Sequence, residues 1–218
     1  MLKAQEILNG LQNIVNEYGI FAIIWHVIFY ALIIALVAKW QPSNRLLGTL
    51  LFIPLLSVAI FAWISGNPFN GTLFSILSIL IFIFGLKAST QPINISQLVY
   101  LIVGILMVVF GLVYPHFIDN SLIKHLYLSP VGLIPCPTLS IIIGFVLIFN
   151  GFGSQTINLI LIIFGLFYGI FGVLKLAVYV DLVLIFGTIT LLIKYILTII
   201  KEPVSNYLAQ PLVQTPIF

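Results

Sequence analysis

The chain has 218 residues, of which 62% are hydrophobic and only 6% are charged. A soluble globular domain carries about 25% charged residues, so this chain could not cover its surface with polar groups in water. The composition predicts an integral membrane protein in contact with the lipid bilayer. The formal net charge of +3 comes from dispersed Lys and Arg residues without a basic patch, which argues against nucleic acid as a partner.

The first segment, residues 1–18, is amphipathic. Apolar residues such as Ile7, Leu11 and Ile14 recur at three- and four-residue spacing, and polar residues occupy most of the other positions. This pattern predicts a helix that lies in the membrane interface. The alternative is a helix that packs on the rest of the protein.

Seven apolar runs follow, and each approaches the roughly 20 residues that a spanning helix needs. They cover residues 20–38, 45–64, 71–86, 97–115, 131–150, 156–174 and 178–200. We therefore predict an all-α integral membrane protein with about seven transmembrane helices within residues 19–201, two of them short and interrupted by proline. Neither Gly nor Pro marks the turn near residues 175–181. Residues 202–218 contain three prolines, which predicts an extended or mobile tail.

Lys and Arg residues near the span ends indicate the orientation. In a seven-span arrangement one side holds Lys39, Arg45, Lys87, Lys194 and Lys201, and the other side holds Lys3, Lys124 and Lys175. We expect the side with five positive charges to be cytoplasmic. This orientation puts the N-terminus outside and the C-terminus inside.

The only cysteine lies in a proline-interrupted segment, Pro135-Cys136-Pro137-Thr138. Pro137 suits the first turn of a helix, so we expect Cys136 at the N-cap and a helix over residues 137–149. Such a helix is about 20 Å long, whereas the hydrocarbon core is about 30 Å thick. Residues 131–136 are then expected to be non-helical within the membrane, which is tolerated only against protein or a water-filled cavity. The free N–H groups and dipole of such a helix start would favour a ligand. Alternatively, the prolines start the helix at the interface and Cys136 packs as a small apolar residue.

A second interruption repeats this design, with Asn67 and Pro68 before a short apolar run. Residues 45–86 and 97–149 would then form two parallel hairpins, each with proline at its turn. Paired interruptions of this kind point to the binding site of a transporter. The candidate ligand-binding residues are Cys136, Pro137, Thr138, Asn67 and Asp181.

Few other polar residues lie within the apolar runs. Asp181 opens the last run and is expected to cap its helix and to pair with Lys175, with a proton relay as the alternative. His26 is expected to be a hydrogen-bonded residue at the interface. His116 and His125 could join Cys136 in a three-ligand metal site. Tyr114 and several other aromatic residues at span ends are typical of interface anchors.

No catalytic motif is present. The sequence contains no phosphate-binding loop, no G-x-S-x-G elbow, no H-E-x-x-H motif and no paired carboxylates. One cysteine also excludes an internal disulfide and a multi-cysteine zinc site. We therefore expect neither an enzyme nor a resident cofactor.

The chain resembles a family of small bacterial polytopic membrane proteins of unknown function. The likeness lies in the amphipathic start AQEILNGLQNIVNEYG, the Asn67-Pro68 turn with Gly71, the Pro-Cys-Pro-Thr segment, and Asp181 followed by Leu. The resemblance covers most of the chain except the fourth span and the tail. It implies a multi-pass protein of the bacterial inner membrane and marks Cys136 as a family feature. Members are sometimes labelled permease-like, a label that carries no defined activity.

These features lead to one main hypothesis and two alternatives. The main one is a small permease or permease-like subunit with its site at the broken helix near Cys136, acting alone, as a homo-oligomer or with a partner membrane protein. The first alternative is a non-transporting scaffold, sensor or assembly partner. The weaker alternative is a metal- or thiol-handling membrane protein.

Overall fold

A computed structural model describes residues 4–118 and 122–208, and it describes the backbone alone for Leu122 and residues 201–208. All regular elements in these ranges are helical. The α-helices are α1 (Ala4–Val37), α2 (Asn44–Leu50), α3 (Phe52–Ile64), α4 (Pro68–Leu86), α5 (Leu98–Leu112), α6 (Leu122–Leu128), α7 (Pro135–Ile148), α8 (Gln155–Leu176) and α9 (Leu182–Leu208). Short 3-10 helices, Asn150–Gly153 and Tyr179–Asp181, precede α8 and α9.

The helices confirm the predicted class of protein but not the predicted number of spans. Five segments of the described residues are long and apolar enough to cross a membrane: Ala4–Val37, Asn44–Ile64, Pro68–Leu86, Gln155–Leu176 and Tyr179–Ile200. The other two apolar helices, α5 and α7, have only 15 and 14 residues. They are about 22 and 21 Å long, which is shorter than the roughly 30 Å of a hydrocarbon core.

Glycines allow the helices to pack in antiparallel pairs: α3 with α4, α5 with α7, and α8 with α9. A Cβ atom on Gly104 of α5 would lie 2.7 Å from the carbonyl oxygen of Gly144 in α7, and the converse distance is also 2.7 Å. Only residues without a side chain permit two backbones to approach this closely. The predicted hairpins 45–86 and 97–149 therefore form as two of these pairs.

Helix α7 lies at the centre of the bundle. Eleven of its residues from Pro137 to Leu147 are buried, including Thr138 and Ser140. A helix that is apolar on all sides can satisfy every face only when other helices surround it. The main hydrophobic core accordingly forms around α7 and includes Leu139, Ile142 and Phe145.

The start of α7 differs from the prediction. The helix begins at Pro135 rather than Pro137, its N-cap is Ile134, and Cys136 is its second residue. Gly132 adopts a φ of +72° and Ile134 is extended, so the chain turns early enough to place Pro135 at the first helical position. Residues 131–134 form the non-helical turn and lie against protein, since Leu133 and Ile134 are at most 2% exposed.

Helix α1 bends at Tyr18, where φ is −110° and ψ is 20°. We call residues 4–17, before this bend, the N-terminal segment. Its apolar stripe packs on the bundle through Leu11 and Ile14, which form a second, smaller core with Phe61 and Ile134. The N-terminal segment therefore covers one end of the bundle.

The other end of the chain also departs from the prediction. Helix α9 continues through Pro203 to Leu208, so residues 202–208 are helical rather than extended. The remainder of the predicted tail, 209–218, lies outside the described residues. The turn before α9 falls where it was expected: α8 ends at Leu176, and Ala177 adopts a left-handed conformation with φ of +56°.

Candidate functional site

A cavity of about 440 Å³ lies at the end of the bundle that the N-terminal segment covers. Its walls come from that segment, the turn between α3 and α4, the residues after α5, the start of α7, the end of α8 and the turn before α9. Helices α1, α4, α7 and α9 begin at this end, and α3, α5 and α8 finish there. We call this end the cavity end.

The short α5–α7 pair explains why a cavity forms here. At the opposite end, neighbouring helices end side by side. The backbone N–H of Ser96, before α5, donates to the carbonyl of Ile148, at the end of α7, at 2.8 Å, and Gly48 of α2 lies against Phe152. The roughly 10 Å by which α5 and α7 fall short of a full span is therefore missing at the cavity end. The turn 131–134 and the N-terminal segment fill only part of that space.

Asp181 is the central polar residue of the cavity and is only 1% exposed. The Tyr114 hydroxyl donates to its Oδ1 at 2.7 Å, and the Cys136 thiol donates to its Oδ2 at 3.1 Å. Gly172 of α8 faces the same carboxylate, and a Cβ atom there would collide with Oδ2. Residues that follow α5, open α7 and end α8 therefore surround one carboxylate.

The position of Asp181 corrects the expected pairing with Lys175. Lys175 is exposed, while Asp181 points inward, and no described side chain forms an ion pair with this carboxylate. The left-handed Ala177 and the following 3-10 turn separate the two residues by turning the chain between them. Burying a carboxylate is costly, and here two hydrogen bonds and the positive end of the α9 dipole offset the cost.

A second buried polar group lies beside the first. Asn70 is 6% exposed, and its Oδ1 accepts a hydrogen bond from the Tyr168 hydroxyl at 3.0 Å. The backbone N–H of Asn70 donates to Oδ1 of Asn67 at 3.1 Å, so Asn67 caps α4 while lining the cavity. This link fixes the start of α4 against the middle of α8.

Three of the five candidate residues line the same cavity: Cys136, Asn67 and Asp181. Pro137 and Thr138 do not line it, because α7 begins two residues earlier than expected and these residues face the core. The Thr138 hydroxyl accepts from the backbone N–H of Gly132 at 2.9 Å and donates to the carbonyl of Ile134 at 2.8 Å. Thr138 therefore stabilises the turn before α7 rather than contacting the cavity.

The histidines do not form the metal site considered from the sequence. Among the residues that the structure describes, no group of three His, Cys, Asp or Glu side chains could hold a metal ion. Partial burial lowers the pKa of His116 below its ordinary value. His26 is hydrogen-bonded as expected but is buried inside the protein, with Nδ1 2.7 Å from the carbonyl of Ala22 and Nε2 2.9 Å from that of Leu112.

Among the lining residues that sequence reasoning missed, three form the buried hydrogen bonds of the site: Tyr114, Asn70 and Tyr168. Tyr114 ends an apolar run, a position that predicts an interface anchor, yet it is 1% exposed. Asn70 follows the cap residue Asn67 by three positions, a spacing that marks the first turn of a helix but says nothing about burial. Tyr168 lies among apolar residues of α8, and no local pattern distinguishes it from them.

No family model, no curated protein and no solved structure matches the chain. The resemblance to permease-like membrane proteins therefore stays a prediction.

Proposed function

We propose that the protein is a small permease or permease-like subunit of the bacterial inner membrane, with its ligand site in the cavity around Asp181 and Cys136. The observation that carries this proposal is the buried carboxylate of Asp181, which faces a cavity of about 440 Å³ at the start of a shortened central helix. Ligand pockets have volumes of about 300–1,000 Å³ and few, well-placed polar groups. Broken or shortened helices around such a site are typical of transporters.

The orientation belongs to the same proposal. With the Lys and Arg distribution described above, the cavity end faces the outside of the cell and the C-terminus lies inside. The cavity then lies toward the outer side of the membrane, beneath the N-terminal segment, in this conformation. A permease must also reach a second conformation in which the site communicates with the cytoplasm.

The test uses the single cysteine as a reporter of access to the cavity. Cys136 is labelled with a membrane-impermeant maleimide in right-side-out vesicles and, separately, in inside-out vesicles. We expect labelling from both sides, because a permease exposes its site alternately. The control carries Cys136→Ser with Ser140→Cys, which places the thiol on a fully buried position of the same helix and is expected to stay unlabelled.

The alternative is a non-transporting scaffold, sensor or assembly partner. In that case Cys136 reacts from the outer side only, or not at all, because the bundle does not change conformation. Labelling from one side alone would overturn the permease proposal.

A further inference from the structure

We propose that the cavity binds an amphipathic organic cation, with the ammonium group of the ligand at Asp181 and its apolar body against aromatic side chains. This inference rests on the proposed function, because it names the ligand class of the same cavity. Four features of the cavity support it: its unpaired charge, its aromatic walls, the few N–H donors at the starts of α4 and α7, and its size.

The first feature is the charge of Asp181. It is the only buried acidic side chain among those that the structure describes, and both of its hydrogen-bond donors are neutral groups. Ionised carboxylates accept up to about four hydrogen bonds, so the two that are formed leave acceptor positions free. Buried charges in proteins are generally paired. A cationic group in the cavity would supply the missing partner.

The second feature is the aromatic lining. Phe69 of α4, Tyr168 and Phe171 of α8, and Tyr114 and Phe117 after α5 all line the cavity. Aromatic ring faces attract ammonium groups, and this attraction is strongest where water is excluded. Rings from three parts of the fold thus share a cavity with a carboxylate, an arrangement that suits an ammonium group attached to an apolar body.

The third feature disfavours an anion. Helix N-termini normally attract anions through their free N–H groups, and α4, α7 and α9 all begin at the cavity end. The carboxylate of Asp181 already occupies the start of α9. Pro68 is the first residue of α4, and Pro135 and Pro137 are the first and third residues of α7. Proline has no N–H, so Cys136 is the only one of the first three α7 residues with a donor. The Asp181 carboxylate would also repel an anion.

The fourth feature is the volume of the cavity. About 440 Å³ is far larger than a bare metal ion needs, and no described group of three ligands could hold one. Glu6 and Lys175 also line the cavity, as exposed residues of opposite formal charge. Together they leave the net charge of the cavity, and with it the expected preference for a cation, unchanged. The space suits a ligand with a hydrophobic body about the size of one or two rings.

The experiment compares three probes of one shape and different charge: 2-phenylethylammonium, 2-phenylethanol and phenylacetate. Each is titrated by calorimetry into the full-length protein in lipid nanodiscs, with empty nanodiscs to subtract partition into lipid. We expect the cation to bind most tightly and to slow maleimide labelling of Cys136. In Asp181→Asn we expect its affinity to fall at least about tenfold, because a buried charge partner is lost, with little change for the alcohol.

Two further variants sharpen the comparison. Glu17→Gln removes one acidic charge from an exposed position of α1 outside the cavity, and we expect unchanged binding of the cation. Phe171→Leu removes one ring while keeping an apolar side chain. It is expected to lower the preference for the cation over the alcohol by about threefold or more, and it provides the test if Asp181→Asn does not fold.

The results separate this inference from the proposed function. Binding of the alcohol or of phenylacetate as tightly as the cation, retention of cation binding in Asp181→Asn, or binding of none of the three probes would overturn the inference. The alcohol or phenylacetate could instead bind most tightly and slow the labelling of Cys136. If Cys136 without a probe is then labelled from both sides of the membrane, the permease proposal stands with another ligand class. If Cys136 is not labelled from both sides, the permease proposal itself fails.

Discussion

At the scale of single residues, the site depends on the space beside one carboxylate. Gly172 leaves that space, and Tyr114 and Cys136 supply the hydrogen bonds that stabilise Asp181 in it. The two hydrogen bonds join parts of the fold that are 67 and 45 residues apart in sequence, whereas Gly172 faces Asp181 across the turn between α8 and α9. Small changes at any of them should therefore disturb the cavity without changing the membrane helices.

We predict that Gly172→Ala destabilises the protein by about 1–3 kcal/mol, the usual cost of overpacking. The new methyl group would meet Oδ2, Cγ and Cβ of Asp181, so the entire side chain must move. Thermal unfolding and the rate of Cys136 labelling measure the effect, and labelling should become faster as the thiol loses its acceptor. Gly19→Ala is the control, because no atom lies within 4 Å of its added Cβ; equal effects of the two substitutions would contradict this account.

We predict that Tyr114→Phe lowers the free energy of unfolding by about 1–3 kcal/mol, because a buried carboxylate loses one of its donors. Denaturation monitored by fluorescence or by thermal shift measures this change. Tyr127→Phe serves as the matched control, since Tyr127 is 40% exposed and its substitution should stay within about 0.5 kcal/mol. A neutral Tyr114→Phe would show that the hydroxyl does not support Asp181.

At the scale of helices, the N-terminal segment and the α5–α7 pair shape the cavity. The N-terminal segment forms one wall and is held by its own small core, separate from the main one. The Gln12 side chain adds a hydrogen bond to the carbonyl of Phe117 at 3.0 Å. We therefore expect the segment to loosen more easily than the bundle.

We predict that Ile14→Asn accelerates labelling of Cys136 several-fold while the helix content is retained. Ile14 is 1% exposed and lies in the small core with Leu133 and Ile134. The side-chain amide of an Asn at this position would be buried among apolar residues, which is costly. Circular dichroism and maleimide kinetics measure the two quantities. Asn13→Ala, on an exposed position of the same helix, should leave the labelling rate unchanged; an unchanged rate in Ile14→Asn would show that the segment does not control access.

We predict that Gly144→Val prevents the close approach of α5 and α7. The added side chain would meet the backbone oxygen of Gly104 at 2.7 Å and the backbone nitrogen of Val108 at 2.9 Å, and backbone atoms cannot rotate away. We expect the free energy of unfolding to fall by about 3 kcal/mol, at the upper end of overpacking costs. The measurement is the yield of monodisperse protein, which should be lower. Ile105→Val, at a position 47% exposed on α5, should have little effect, and normal yield from Gly144→Val would refute the glycine contact.

At the scale of the whole molecule, the orientation of the chain decides which side of the membrane the cavity faces. We predict that, in a Cys136→Ser background, Lys124→Cys is labelled from outside the cell and Thr90→Cys only from the cytoplasmic side. Both positions are exposed and lie at opposite ends of the bundle. The pattern follows from the excess of Lys and Arg near the end that carries Thr90. The reverse pattern would invert the orientation, and labelling of both positions from one side would contradict the arrangement of helices.

Local chemistry made much of the fold predictable. Long apolar runs predicted the apolar helices, and Asn67-Pro68 marked the break before α4, because caps and prolines act on the backbone beside them. Helix α4 begins at Pro68, three residues before the predicted run 71–86, and its 19 residues make it a full-length rather than a short helix. The start of α7 was less predictable, since two prolines compete for the first helical position. The positive φ of Gly132 favours Pro135, and this conformation depends on packing around the turn.

The sequence by itself determined that the protein is helical and apolar enough for a membrane, and it located most helix breaks to within about three residues, because hydropathy and the backbone preferences of proline act over a few neighbouring residues. Only the tertiary structure decided that Cys136 and Tyr114 meet Asp181, 45 and 67 residues away along the chain. It also showed that α5 is as short as α7, so that the pair leaves space at one end of the bundle. In a chain built largely of interchangeable apolar side chains, which helix faces meet depends on glycine contacts and buried hydrogen bonds across the bundle, and these have no local signature.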